Sequence, residues 1–487
     1  MTRSMWLAFV SVVSVVTMTA CARPTPERRV VDDAAAALGG SGRILSVKTL
    51  VIEGEGTNGN LGQDMTPEAT TQAFNISGYR LAVDLVNGRS RLDQTRTPNF
   101  TYFQGQAAQK QTLGIDKNVA YNVAANGTAT RLSDAAAKDR RASTYHHPLT
   151  IVRAALDPAA KLANARALGN QRTVDVTTAD GLTFTLAIDG ETALPTSVVS
   201  MADNTNLGDI AQETSFSEYR DVNGLKLPSR FTTRIDTYQT SQLRATNQII
   251  DGNVGDLAAP AAAASTAAFA GPPPPTVTAE PIARGIWLLA GQSHHSVLVE
   301  FSDHLLLIEA PQNDARTLAV IAKARQIVPG KPLTAVVNTH HHFDHSGGIR
   351  AASSEELTVI TQKGNAAFFQ QAAARAHTIV PDALANNPKP LKLESVDEEM
   401  VLKDNTMAVN LYHIAGSPHA DTLLMAYFPR ERVLVEADVY SPAAAVHPYA
   451  ANLLENVRKR KLRVDRIVPL HGTPVAFDSL LKTQSTK

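Results

Sequence analysis

A single cysteine, Cys21, stands in a chain of 487 residues. Without a second thiol there is no intramolecular disulfide framework, no thiolate zinc knuckle and no cysteine-held iron–sulfur cluster. Any metal site therefore has to be built from histidine and carboxylate. Net charge is equally absent, since 46 Lys and Arg balance 46 Asp and Glu. That balance leaves no global electrostatic footprint for nucleic acid or an acidic membrane surface, so no nucleic-acid partner is expected. Beyond the N-terminus no stretch reaches 18 uninterrupted apolar residues, the length that marks a spanning helix. At about 100–200 residues per domain, two or three globular domains are expected.

The N-terminus carries a short basic start, Met1 to Arg3, an apolar run from Trp6 to Met18, and the small residues Thr19 and Ala20 before Cys21. This is the layout of a removable signal rather than of a transmembrane helix. The run Met18-Thr19-Ala20-Cys21 resembles a bacterial lipobox, with Met in place of the usual Leu. The resemblance implies that residues 1–20 are a lipoprotein-type signal peptide and that Cys21 is the lipidation site. The mature chain is then expected in the bacterial cell envelope, held to a membrane by its N-terminal lipid anchor, facing the periplasm if the cell is Gram-negative.

A polar tether, Ala22 to Arg29, leads into a region dense in period-2 alternation. Tyr79, Leu81, Val83 and Leu85 alternate before Asn87-Gly88, and Phe184, Leu186 and Ile188 alternate between Asp180-Gly181 and Asp189-Gly190. Asn223-Gly224 repeats the pattern. Such dipeptides tolerate positive φ and are strong hairpin signals. Residues 21–256 are therefore expected to form an antiparallel, curved, β-rich domain with one helical insertion near Pro148 to Leu168. Together with the lipobox, this domain resembles the half-barrel lipoprotein-carrier class. His146 and His147 have no third partner nearby and read as structural. Residues 257–281 turn abruptly to alanine and proline, including Pro272 to Pro275. That composition predicts a semi-rigid linker.

All but two of the 14 histidines follow the linker, in residues 282–487. Short strands are expected at Ile286–Leu289, Ser296–Glu300 and Leu305–Ile308, then an amphipathic helix over Asp314–Ile327 that stops at Pro329-Gly330. Leu333–Asn338 reads as a buried strand, Leu357–Thr361 as another, followed by a helix near Ala366–Arg375. Three more strands are expected at Ala408–Ile414, Thr422–Phe428 and Arg432–Ala437. Strands first, then strands alternating with helices, favour an α+β class chain with a C-terminal αββα sandwich.

Directly after the buried strand the chain reads Asn338-Thr-His-His-His-Phe-Asp-His-Ser-Gly-Gly348. In an extended loop residues two apart project to the same side, so His340 and His342 can converge on one ion. Asp344 and His345 fall where the chain turns into a helix and can address a second ion nearby. Imidazole and carboxylate suit zinc. His294, His295 and His304 sit in turns and read as non-ligands, with His295 the one placed to line a pocket.

The His-x-His-x-Asp-His motif resembles that of the metallo-β-lactamase superfamily. Three further segments match the same pattern: Gly416 to Thr422 with His419, Val433 to Asp438, and Val468 to Gly472 with His471. The resemblance implies one metal site of His340, His342 and His419, a second of Asp344, His345 and His471, and Asp438 as a bridge between two zinc ions. It implies a binuclear metallo-hydrolase in which a metal-bridging hydroxide, oriented by Asp344 as the catalytic residue, attacks an ester, lactone, thioester, phosphodiester or amide bond. Tyr440 and Ser441, just after the bridge, are candidates to contact substrate beside His295. Glu309 stands where the family usually has Asp, and Ala437 where it usually has Gly. An Asp at 438 resembles the glyoxalase II, lactonase and phosphodiesterase branches more than the β-lactamases proper. Two alternatives remain: a mononuclear iron sulfur-oxygenase of the same fold, and a non-catalytic ligand-binding envelope lipoprotein.

Overall fold

A computed structural model describes residues 23–100 and 107–483. The expected signal peptide, residues 1–20, and Cys21 lie outside these residues. Among those described, no helix is long and apolar enough to cross a membrane.

The N-terminal region is one antiparallel sheet of 13 strands, running from Ala129–Arg131 at one edge to Lys161–Leu168 at the other. Its first and last long strands, Thr49–Gly59 and Tyr238–Ile250, pair with each other in the middle. The expected hairpins are present. Asn223 and Gly224 both take positive φ, 52° and 80°, which is what a two-residue turn between Gly208–Val222 and Leu225–Ile235 requires.

Two departures from the sequence reading have local causes. The polar tether gives way at Pro26 to a helix, Pro26–Leu38. Thr25 caps it by accepting from the Arg28 amide, proline fits its first turn, and Val30, Val31, Ala34 and Leu38 bury one face against the sheet. The helical insertion ends early. Helices Asp134–Thr144 and Pro148–Leu156 form, but Pro158 disfavours helical backbone at Asp157, and Lys161–Leu168 pairs instead as the edge strand beside Gln171–Thr177.

The alanine- and proline-rich stretch lies along the first sheet. Leu257 is buried with Val51 and Ala82, Ala261–Ala264 forms one helical turn, and the Phe269 amide donates to Leu132. Its end joins the second domain, where Thr278–Ala283 is an edge strand paired with Ile286–Ala290.

The C-terminal region is a sandwich of two sheets. The first holds seven strands from Thr278–Ala283 to Lys392–Val396, antiparallel at first and parallel from Leu305–Ile308 onward. The second holds six, from Glu399–Lys403 to Val475–Ala476. Val297, Val299, Leu306, Ile308 and Val337 of one sheet meet Val409, Leu411, Phe428, Val435 and Val468 of the other in a single core. At about 1.5–3 kcal/mol for each fully buried large aliphatic or aromatic side chain, this layer dominates the domain's stability. Helices Asp314–Ile327 and Ala366–Ala374 cover the first sheet and Ala450–Lys459 the second. The chain is thus α+β: an antiparallel β-rich domain followed by an αββα sandwich.

The two domains meet. Leu207 and Ile210 of the first sheet are buried in the helical layer of the sandwich with Phe368 and Phe369. The Arg375 guanidinium donates to the Leu207 and Asp209 carbonyls and pairs with Asp236.

Candidate metal centre

Sheet direction brings the chemistry to one edge. Leu305–Ile308 and Leu333–Val337 run parallel, so Glu309 and the loop 338–342 emerge side by side. In the facing sheet Val433–Glu436 and Arg466–Pro469 run parallel, so Asp438 and His471 also emerge together. Ser296–Glu300 runs the opposite way, which puts the residues before it, His294 and His295, at the same edge. Backbone bonds tie the two sheets there: the Leu424 amide donates to the Thr339 carbonyl at 2.8 Å and the His295 amide to the Leu470 carbonyl at 2.9 Å.

Two groups of four side chains converge at this edge: His340, His342, His419 and Asp438, and His294, Asp344, His345 and His471. Within each, one potential ligand atom per residue lies within 4.8 Å of the others. The Asp438 carboxylate spans both groups. One oxygen stands 2.9 Å from His345 Nε2, 3.0 Å from His419 Nε2 and 3.4 Å from His340 Nε2; the other stands 2.8 Å from His471 Nε2. Asp438 takes a left-handed φ of 64°, a conformation that Asp tolerates better than most residues. The wholly buried Glu436 holds this turn by accepting from the Val439 and Tyr440 amides, and burial pushes its carboxyl up to about 8.

Burial and charge set the protonation. Burial, with His345 as neighbour, drives His340 well below the usual imidazole range; burial, His340 and His419 do the same for His342. Burial opposes ionisation of Asp344 and Asp438, yet His345 above all, joined by His294 at Asp344 and by His471 and His419 at Asp438, holds both carboxyls well below their ordinary range. His345, despite its burial, is held well above its own by Asp438 and Asp344.

Glu309 fixes His345 from behind, accepting from Nδ1 at 2.8 Å and from Thr339 Oγ1 at 2.5 Å. Nε2 is thereby left to face the cluster, the usual division of labour for a ligating imidazole. The longer side chain at 309 is therefore an orienting group, engaged in the ring's own hydrogen bond.

The donor set fits zinc. Two nitrogens bound at about 2.0–2.1 Å in tetrahedral geometry stand about 3.3 Å apart. His340 and His419 Nε2 are 3.3 Å apart, and His345 and His471 Nε2 are 3.0 Å apart. His342 Nδ1 is buried with no hydrogen-bond partner among the described residues.

The structure brings together all seven residues singled out as ligands and adds one that the sequence reading had set aside. His294 Nε2 lies 2.9 Å from Asp344 Oδ2, and its ring packs on His471 with centroids 4.0 Å apart. The fully buried Arg316 guanidinium fixes this turn by donating to the Leu289 and His294 carbonyls. His295, expected to line the pocket, instead faces the turn, where its Nδ1 accepts from the Gly291 amide. The choice between adjacent histidines depends on the register of the strand that follows, which spacing alone does not reveal. Tyr440 is buried in the cluster under helix Ala450–Lys459, with its ring tilted against that of His447 at 5.1 Å between centroids. Neither it nor Ser441 borders the cavity of about 200 Å³ above the two groups. Tyr449, Phe100, Asn60, Gln63 and Gln72 do. The last four belong to the N-terminal domain and follow no local motif.

Residues 290–471 match the family model described as the metallo-beta-lactamase superfamily. Solved structures similar to this chain include the DIM-1 metallo-beta-lactamase, at 18% identity over 43% of this chain and 96% of that one, with a TM-score of 0.32. A metallo-beta-lactamase from Pontibacter korlensis shows 16% identity over 44% of this chain and 100% of that one, with a TM-score of 0.34. One from Hirschia baltica shows 15% identity over 43% and 96%, with a TM-score of 0.33. No curated protein matches the chain. The C-terminal sandwich thus carries, over residues 290–471, the match to the metallo-beta-lactamase superfamily model, together with two His/Asp groups that could hold metal.

Proposed function

We propose that the chain is a binuclear zinc hydrolase. The observation that carries this reading is the Asp438 carboxylate, shared by the two ligand groups: one oxygen faces His340, His419 and His345, the other His471. A closed structural site needs one ligand set; a second set joined by a shared carboxylate is the arrangement of a two-ion catalytic centre. His340, His342 and His419 would hold one ion, Asp344, His345 and His471 the other, with His294 beside the second. Zinc bound there would supply a water of lowered pKa and a Lewis acid for the substrate oxygen.

The remaining work falls to the chain. Asp344, ionised and held from both sides, is placed to accept a hydrogen bond from the attacking water and set its direction. Glu309 keeps the His345 ring in place through the reaction. Tyr449 and Phe100 present an apolar wall to the substrate, while Asn60, Gln63 and Gln72 offer amide groups. This lining suits a small molecule carrying a polarised carbonyl or phosphoryl group. An ester, lactone, thioester, phosphodiester or amide remains the substrate class. The mononuclear oxygenase alternative is disfavoured by the complete second group. We also propose that the chain is exported and anchored through Cys21; mass spectrometry of the mature protein should find an acylated N-terminal cysteine.

The test is elemental analysis of the full-length, metal-replete chain followed by a hydrolysis panel over those five bond types and β-lactams. Two zinc ions per chain are expected, with His342→Ala depleting the first site and His471→Ala the second. One ion per chain, with full turnover in His471→Ala, would promote the mononuclear alternative.

A further inference from the structure

We propose that the loop 60–72 of the N-terminal domain is a clamp that positions one ligand in each metal group, with Gln63 the positioning residue for Asp344. The inference rests on the hydrolase reading above and extends it to the domain that the family match leaves out.

Four consecutive residues of this loop bond to the ligand loops. The Gly62 carbonyl accepts from the Phe343 amide at 3.1 Å. Gln63 Nε2 donates to Asp344 Oδ1 at 2.7 Å. The Asp64 carbonyl accepts from His342 Nε2 at 2.9 Å, and the Met65 carbonyl accepts from the Asp421 amide at 2.8 Å. Ordinary domain packing would scatter such bonds over the interface. Here all four fall on residues that are proposed ligands or lie within two positions of one.

The chemistry of the two central bonds is specific. By engaging Oδ1, Gln63 leaves Asp344 Oδ2 directed at His294 and His345, the side on which the second ion would sit. By accepting from Nε2, the Asp64 carbonyl selects the His342 tautomer whose Nδ1 carries a bare lone pair, and that atom is buried without a partner. A backbone carbonyl or amide on the far side of a ligand is how proteins fix ligand orientation and basicity.

The loop is built to hold its shape. Its ends meet through the Asn60 amide and Gln72 carbonyl, and the buried Asp64 carboxylate accepts from the Gln72 amide at 3.0 Å. Gly62 has φ +77°, and a Cβ there would come within 2.3 Å of the Phe343 ring. Only glycine lets the loop approach so closely.

The experiment is a cobalt titration of the full-length apo chain, read by the visible absorption of each site, with thermal melts as a check on folding. Gln63→Met keeps the length of the side chain and removes its donor. It should weaken the second ion about 10–100-fold, the usual cost of losing a ligand's outer partner, shift that site's cobalt bands, and leave the first ion and the melting temperature as in wild type. Gly62→Ala, which pushes the loop off Phe343, should weaken both ions. Wild-type affinities and spectra in Gln63→Met overturn the clamp while leaving the hydrolase reading intact. Equal loss of both ions with a lowered melting temperature in Gln63→Met also overturns it, by reducing Gln63 to a structural contact. A wild-type chain that takes up no cobalt overturns both readings.

Discussion

His146, in the turn between helices Asp134–Thr144 and Pro148–Leu156, and the imidazoles at the sandwich edge are similarly hidden from water, but their ring nitrogens are used differently. His146 bonds to Thr214 Oγ1 at 3.0 Å and Ser200 Oγ at 2.9 Å. Hydroxyls can act as donor or acceptor, so they satisfy a neutral ring and nothing is left over. At the sandwich edge the Thr339 and Ser293 hydroxyls meet only the outer nitrogens, Nδ1 of His340 and of His294, while the inner nitrogens face imidazole and carboxylate. Lone pairs crowd together there and a cation relieves the crowding. The contrast separates a histidine that folds a protein from one that waits for a metal.

The largest expected effect on this contrast comes from Asp438→Ala. In the proposed binuclear centre, removing the shared carboxylate would take away both the bridge and the charge that offsets two adjacent cations. Both ions should be lost on dialysis, and turnover should fall by about three orders of magnitude or more, since metal activation of water supplies most of the chemistry. Asp344→Asn comes next: the amide keeps an oxygen but loses its charge. Turnover should fall about 10²–10³-fold, the scale of removing one electrostatic contact to the reacting atoms, with a smaller loss of metal by elemental analysis. A turnover near wild type would mean that Asp344 only shapes the pocket.

His294→Ala sharpens the comparison within one turn of chain. Loss of its contact with Asp344 should weaken the second ion about tenfold, whereas His295→Ala should leave both ions near wild-type affinity in the same titration. The opposite ranking would restore His295 as the functional partner.

On metal and turnover no effect is expected of the N-terminal pair, whose readout is stability alone. Burial lowers His146 and His147 to about 4, below their unfolded value near 6.5. The unfolded chain then binds more protons between pH 4 and pH 6.5, so the stability from keeping these rings neutral is fully present above pH 6.5 and declines as pH falls toward 4. At roughly 3 kcal/mol per ring at the acid limit, the loss should appear as a falling denaturant midpoint between pH 7 and pH 4.5. His146→Gln should flatten part of that slope even though it lowers the midpoint at neutral pH. An unchanged slope would mean that His146 does not titrate between the two states.

Legibility in the sequence follows the range of the interactions. Helix Asp314–Ile327 emerges with the ends the sequence predicts, because its Asn313 cap, periodicity and Pro329-Gly330 stop are all local. The seven candidate ligands converge because motif spacing and the ends of parallel strands are likewise local or repetitive. His294 was hidden by an adjacent histidine and by a register that only pairing decides. Gln63 reaches Asp344 across 281 positions of sequence, and no composition or period marks it. Lys161–Leu168 reads as a continued helix until Pro158 and the partner strand Gln171–Thr177 are weighed together.

The edge strand Thr278–Ala283 closes one side of the seven-stranded sheet and lies largely exposed. An open edge is a template for a foreign strand, and an exposed strand at the start of the sandwich would make an inviting one. Pro281 sits within that strand, opposite Trp287. A proline tolerated at a sheet edge turns its nitrogen outward and has no hydrogen to offer, so the outer row of donors is broken mid-strand. Pro281 thereby guards the domain against aggregation by strand addition at this edge.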